Sequence, residues 1–281
     1  MNAHVVKRNI AKGLCYFLLV ILFVICILPV YILFVNATRS TVQINHGVSL
    51  LPSTYLFVNW QTLIDTGINV VQGIRNSAIV AFSSTFLTVY FSLLTAYAIN
   101  VYNFKYKKFF YGFVLAMVLV PGQLYLIGFF QYMSMLGLLN TFAPLIIPAV
   151  AAPGAVFFFK QYLDGALVPE LIQAARIDGA GEFAIFNRIA LPLAAPGAFT
   201  MAIFAFVGSW NAFMGPLFLI FGEQRLHTLP LIMNRLQAEA FSRDFGAIYL
   251  GMAVTLVPII IVYAIFSKYI VSGIAMGSVK E

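Results

Sequence analysis

The 281-residue sequence is poor in charge, in cysteine and in histidine, and each shortage removes a class of protein. Charged residues make up 9% of the chain against 62% hydrophobic ones. A soluble globular domain carries about a quarter charged residues, so this chain cannot solvate its surface in water, and the bilayer is its solvent. Two cysteines occur, Cys15 and Cys26, both in the first apolar run and eleven positions apart. On one helix that is about three turns, which rules out a disulfide between them, and the spacing resembles no metal site. They read as two buried apolar thiols. The three histidines, His4, His46 and His227, show no HExxH or other ligand spacing. GxxxxGK[ST] is missing, which excludes ATP binding through a P-loop, and no Ser-His-Asp constellation stands out.

Apolar runs are what the chain has in plenty. A spanning helix needs about 20 mainly apolar residues, and six windows qualify: Gly13–Val35, Asn76–Asn100, Phe109–Tyr132, Thr141–Phe159, Gly197–Phe221 and Phe245–Phe266. The 28 Phe and 14 Tyr suit lipid-facing surface and interface belts. None of the windows contains Asp, Glu, Lys or Arg. Ion-coupled carriers keep an ionisable residue inside the membrane, and a membrane protease or transferase needs acids, bases or ligands at depth. The empty inventory favours a solute pathway powered from outside the subunit. A secondary carrier, or a membrane scaffold or channel subunit without an ATPase, are the rival readings.

Lys7, Arg8 and Lys12 precede the first window, which is longer than the roughly 7–15 residue core of a signal peptide. It reads as an uncleaved first span. Eleven of the 16 Lys and Arg fall in the N-terminal tail, the second and fourth connections and the C-terminal tail, and five on the opposite side. The positive-inside rule then places both termini in the cytoplasm. The formal net charge of +7 is spread in these short clusters, so it marks topology and excludes a nucleic-acid partner. The expected fold is all-α: a polytopic membrane protein of six transmembrane helices. Residues 1–12 form a cytoplasmic tail and 13–281 the membrane domain, with outside segments at about 36–75 and 222–244 and a C-terminal tail at about 268–281. A short surface helix is expected around Asn59–Asp65.

One connection differs from the rest. Pro169–Pro196 is a polar island between apolar runs, on the cytoplasmic side. Pro169 suits the first turn of a helix, and Glu170 suits its positive end. Leu171, Ala174 and Ala175 fall on one face at i, i+3, i+4 spacing, where two alanines keep the face flat for close approach of another backbone. Asp178–Gly179 ends the helix, glycine being the residue that takes a left-handed cap without steric cost. A second short helix starts at Glu182 with Phe183, Phe186 and Ile189 or Ala190 as its apolar stripe. It is expected to stop at Leu191–Pro192, since the residue before proline avoids helical geometry. The product is a helix–turn–helix elbow.

The run Gln173–Pro196 resembles the EAA loop of permease subunits of binding-protein-dependent ABC importers. Ala174, Ala175, Asp178, Gly179, Ala180, Phe186, Ile189, Leu191, Pro192 and Pro196 match the pattern; Gln173 stands where the family usually has Glu, keeping length and hydrogen bonding but not charge. Trp210, Asn211, Phe213, Pro216 and Leu217 resemble a stretch of the carbohydrate, maltose-type permeases. Leu28–Pro29, Thr38-Arg39-Ser40 and the tail from Ser272 to Lys280 do so too. The resemblance implies a type I importer permease fold and a non-catalytic transport subunit in the inner membrane. It implies a second homologous permease, an ATPase dimer that holds the ATP and Mg²⁺, and an extracytoplasmic solute-binding protein as partners, with no cofactor in this chain. Coupling to the ATPase would involve Gln173, Ala174, Ala175, Arg176, Asp178, Gly179, Ala180, Phe183 and Phe186, and Lys280 and Glu281 would reach towards the ATPase interface. For the solute, Gln123, Tyr125 and Gln131 in the third window and Ser209, Trp210 and Asn211 in the fifth are the polar candidates. Interhelical hydrogen bonding is the other use for such groups.

Overall fold

The computed structural model describes the backbone of residues 3–65, 67, 69–240 and 244–278, and the side chains of residues 12–65, 67, 69–122, 124–238 and 244–265. The tail residues named above beyond 278, including Lys280 and Glu281, lie outside the described residues, as do the side chains of Gln123 and of 266–278. The chain is helical throughout, with no strand among the described residues. Helices α1 (Ala3–Asn36), α2 (Thr41–Asn45) and α3 (Leu56–Asp65) precede α4 (Val70–Val101). Then follow α5 (Lys107–Val118), α6 (Leu126–Met135), α7 (Ala143–Ile146) and α8 (Pro153–Ala166). The polar island holds α9 (Pro169–Ile177), α10 (Glu182–Ile185), a π-helical turn Phe186–Ala190 and α11 (Leu191–Leu193). It leads into α12 (Ala195–Trp210), α13 (Met214–Leu219), α14 (Leu229–Ala240) and α15 (Phe245–Ser278).

Among the described residues four stretches are long and apolar enough to cross a membrane: Lys12–Asn36, Val70–Val101, Ala143–Ala166 and Phe245–Ile265. A fifth arises if Glu182–Leu193 and Ala195–Trp210, bent by 79° at Ala194, count as one span. The third and fifth windows are not continuous helices. Pro121 lies in the break between α5 and α6, which have 12 and 10 residues, because proline removes a donor and clashes with the preceding turn. The fifth window breaks between Trp210 and Met214. The region expected to be helical around Asn59–Asp65 forms α3.

The chain divides into two compact units, Met1–Asn69 with Met233–Val257, and Val70–Ile232 with Pro258–Glu281. In the first, α1 is exposed from Lys12 to Pro29, and Cys15 and Cys26 are exposed thiols rather than buried ones. A helix apolar on all sides leaves its surface to lipid or to other chains. Its exit carries a polar knot. Buried Arg39 donates to Asn36 Oδ1 (2.9 Å), to the Gly47 carbonyl (3.0 Å) and to the Gln43 carbonyl. Asn59, 1% exposed, donates to the Ala37 and Arg39 carbonyls (2.8 and 3.0 Å). A Cβ at Gly246 would stand 2.5 Å from the Arg39 carbonyl and 2.6 Å from Asn59 Oδ1. Asp244 caps α15 by accepting from the Gly246 and Ala247 amides, and it also accepts from Thr41 Oγ1 (2.8 Å).

The second unit is organised around α4, which packs along α8 and α12. Ser77, Ala81, Ser84, Thr88, Ser92 and Ala96 are all buried on α4. Small side chains at i, i+3 and i+4 let neighbouring backbones approach closely, as membrane helices require. Towards the end of α4 the stripe gives way to Leu93 and Tyr97, which join Phe159, Leu163, Ile172, Ile185 and Phe186 in a core. That core fastens the polar island to the membrane helices.

Candidate functional site

The island folds as an elbow in two arms. The first arm, α9, ends in a Schellman turn. The Ala180 amide donates to the Ala175 carbonyl and the Gly179 amide to the Arg176 carbonyl, each at 3.0 Å, with Gly179 at φ +80°. Asp178 is the cap and is exposed. No atom lies within 4 Å of where a Gly179 Cβ would be. Glycine is therefore favoured here for backbone conformation, and the space beside it is open.

The alanine pair divides its work. Ala175 is buried with Ile172 in the core, whereas Ala174 is exposed together with Leu171 and Gln173. The expected flat face of Leu171, Ala174 and Ala175 is thus split, because the i, i+3 pair Ile172 and Ala175 carries the buried side. The second arm also departs from expectation. Phe183 is 67% exposed and Phe186 is 1% exposed, so they do not share a stripe. The buried face is Ile185, Phe186 and Ala190. The helix also does not stop at Leu191–Pro192. The Leu191 amide reaches the Phe186 carbonyl across the π turn, and helical backbone continues through Leu193. The wider turn accommodates Pro192 at the start of the following segment, where its missing amide is tolerated.

An ion pair links the arms. Arg176 donates to Glu182 through Nε (2.7 Å, to Oε1) and Nη2 (3.1 Å, to Oε2), the bidentate geometry of strong guanidinium–carboxylate pairing. Tyr102, just past α4, donates its hydroxyl to Glu182 Oε2 at 2.5 Å, and the Arg176 guanidinium lies 5.7 Å from the centre of its ring. The Arg176 and then the Tyr102 hydrogen bonds hold the Glu182 carboxyl below the usual carboxylate range. Burial, and next the bond to Glu182, push the Tyr102 phenol up to about 12. Higher on α4, Tyr97 packs against Phe186 with ring centres 5.4 Å apart. Tyr90 meets Phe186 edge-on at 5.6 Å and donates to Asn187 Oδ1 at 3.2 Å. Sequence reasoning missed this clasp. Its signal was present in Tyr90 and Tyr97, seven apart and so on one helical face, and in Glu182 opening the second arm. Gln173 carries none of these contacts. It lines a cleft of about 250 Å³ with Asn100, Asp164, Pro169 and Arg176.

The candidate solute residues are dispersed. Tyr125 is exposed in a 3₁₀ turn with its ring edge-on to Phe129, and Gln131 is exposed on α6. Ser209 accepts from Ser84 Oγ at 2.9 Å. Trp210, 3% exposed, stacks on Phe206 at 5.5 Å, and Asn211 is exposed just past α12.

Comparison with known proteins places this geometry. The family model described as binding-protein-dependent transport system inner membrane component matches residues 88–276, which span α4 to α15 and include the whole elbow. The arabinooligosaccharides transport system permease protein AraQ of Halalkalibacterium halodurans is 35% identical over 259 residues, 91% of this chain and 92% of that one. The diacetylchitobiose uptake system permease protein NgcG of Streptomyces coelicolor is 29% identical over 265 residues, 94% of this chain and 87% of that one. In the solved structures, a chain from a crystal structure of a bacterial ABC transporter involved in the import of the acidic polysaccharide alginate superposes with a TM-score of 0.80. That match covers 94% of this chain and 97% of the other at 18% identity, a likeness of fold. The chain belongs to the family of inner-membrane components of binding-protein-dependent transport systems, the permease subunits of ABC importers.

Proposed function

We propose that the chain forms half of the translocation pathway of an ATP-driven carbohydrate importer and is driven through its elbow by a cytoplasmic ATPase. One observation carries this reading. The elbow is fastened to the membrane core by Ile172, Ala175, Ile185 and Phe186, while Gln173, Ala174, Asp178, Gly179 and Phe183 stay uncovered. A surface so rigidly backed and so unoccupied is suited to receive force from another protein. In this reading the chain makes six membrane passes with both termini cytoplasmic, residues 1–12 and 268–281 being tails. A second, related permease completes the pathway, a soluble binding protein delivers the solute from outside, and ATP with Mg²⁺ is bound and hydrolysed in the separate ATPase. Carbohydrate is the solute class in this reading because relatives at 35% and 29% identity are named for arabinooligosaccharides and diacetylchitobiose. Tyr125, Gln131 and Asn211 are the exposed pathway candidates; Gln123, Ser209 and Trp210 complete the set.

The test is Gly179→Asp in the complete importer. A Cβ at this position meets no atom within 4 Å, and aspartate is one of the residues that visits left-handed backbone. Membrane insertion and expression are expected to persist, with ATP hydrolysis uncoupled from uptake. Normal uptake would overturn the coupling role, and failure of the wild-type chain to bring down an ATPase in mild detergent would overturn the whole reading.

A further inference from the structure

The chain enters and leaves the elbow at two changes of direction. Leu167 and Val168, which join it to α8, are single extended residues, and the passage to α12 is the 79° bend at Ala194. Its lateral attachment to α4 is dense by comparison. Tyr90 and Tyr97 hold the second arm through Phe186 and Asn187, and Tyr102 holds it through Glu182. The Glu182 carboxylate also takes both Nε and Nη2 of Arg176, from the first arm. One carboxylate therefore ties both arms to the foot of α4 and bridges the Asp178–Gly179 turn. The side chains of Arg176 and Glu182 are 38% and 44% exposed. Ion pairs so wet add little to stability, so this arrangement is better suited to fixing a direction than to holding the fold.

We infer that Tyr102, Arg176 and Glu182 are positioning residues that make the elbow and α4 move as one body, so that displacement of the elbow is delivered to α4 instead of being absorbed in the Asp178–Gly179 turn. The inference rests on the reading of the elbow as the ATPase docking site. It adds a route: α4, the helix against which α8 and α12 pack, is the first membrane element to receive the motion. It also assigns a use to a tyrosine outside the coupling loop.

The experiment uses the complete importer in proteoliposomes with its ATPase, second permease and binding protein, and labelled arabinotriose as probe. The measured quantity is ATP hydrolysed per sugar moved, which a purely stabilising role does not change. Tyr102→Phe and Glu182→Gln are expected to raise that ratio about threefold or more, the scale of one lost hydrogen bond, with the ATPase still co-purifying at wild-type yield. The exchanged pair Arg176→Glu with Glu182→Arg keeps the charge partnership but not the Tyr102 hydrogen bond, and is expected to bring the ratio back only to the level of Tyr102→Phe. An unchanged ratio, or uptake and hydrolysis falling in proportion, overturns the inference while leaving the coupling reading intact. Loss of ATPase co-purification from the wild-type complex overturns both. A second measurement needs no solute. Spin labels at Arg188→Cys and Thr95→Cys, both exposed, in a Cys15→Ser, Cys26→Ser background, should keep one narrow distance with and without ATP, and the distribution should broaden on Glu182→Gln. A nucleotide-dependent distance in the otherwise native clasp overturns the inference.

Discussion

At the residue scale, two glycines do opposite jobs, and only one of them was legible in the sequence. Gly179 announces itself because Asp-Gly after a short helix is a local signal for a left-handed cap. Gly246 has no local signal. It matters because the Arg39 carbonyl and Asn59 lie against it, contacts set by residues some two hundred positions away. Gly246→Ala pushes a methyl into backbone and a hydrogen-bonded amide, which cannot swing aside as a flexible side chain would. It should cost about 1–3 kcal/mol and lower the Tm of the detergent-purified chain by several degrees. The clasp gives a pH prediction. The lowered value of Glu182 means that its contribution is present above the ordinary carboxylate range and is lost as pH falls through the lowered value. The raised value of Tyr102 means that its contribution is present below the ordinary tyrosine value and is lost as pH rises through about 12. The Tm difference between wild type and Glu182→Gln should thus be flat from roughly pH 5 to 9 and should shrink in stronger acid.

At the element scale, the first arm of the elbow was readable and the second was not. An α-helix of nine residues with a proline start and a glycine stop follows from capping chemistry alone. Phe183 and Phe186 are three apart, which periodicity reads as one face. The buried face is centred on the adjacent Ile185 and Phe186, which leaves Phe183 outside it, and the π turn Phe186–Ala190 then carries Ala190 onto the same buried face. Their substitution separates the faces. Phe186→Ala empties a fully buried site and should destabilise the fold by about 3 kcal/mol or more. Phe183→Ala should stay within about 0.5 kcal/mol of wild type in stability yet weaken recovery of the ATPase on affinity purification. Equal thermal penalties would contradict the assignment of faces. The third window breaks at Pro121, a proline visible in the sequence, whereas the fifth parts between Trp210 and Met214, where no proline stands and Pro216 lies inside α13.

At the scale of the whole molecule, what could be read early was whatever composition alone decides. The bilayer as solvent, the uncharged spans and the single polar island on the basic side all follow from counting. Family membership agrees with the first of these, and the candidate spans Val70–Val101 and Ala143–Ala166 carry Arg75, Lys160 and Asp164 towards their ends. The partnership of Tyr102 with Glu182 could not be counted, since it joins residues 80 positions apart. Orientation is open to direct measurement. In a Cys15→Ser, Cys26→Ser background, Arg225→Cys should react with a membrane-impermeant maleimide on intact cells. Asp178→Cys should react only after the membrane is opened. Labelling of both from one side would contradict the charge-based topology.

The π turn Phe186–Ala190 has a consequence for the history of the chain. A π-bonded turn holds one residue more than an α-helical turn over nearly the same path. Removing one residue within it would return the ladder to regular α-helix and leave the faces on either side in register. Removing one residue from α9 would instead rotate all that follows by about 100°, taking Ala175 out of the core and turning Gln173 away from its cleft. Length variation in this loop is therefore tolerable in one turn and prohibited in the arm before it, so related chains that differ by a single insertion or deletion here should place it between Phe186 and Ala190.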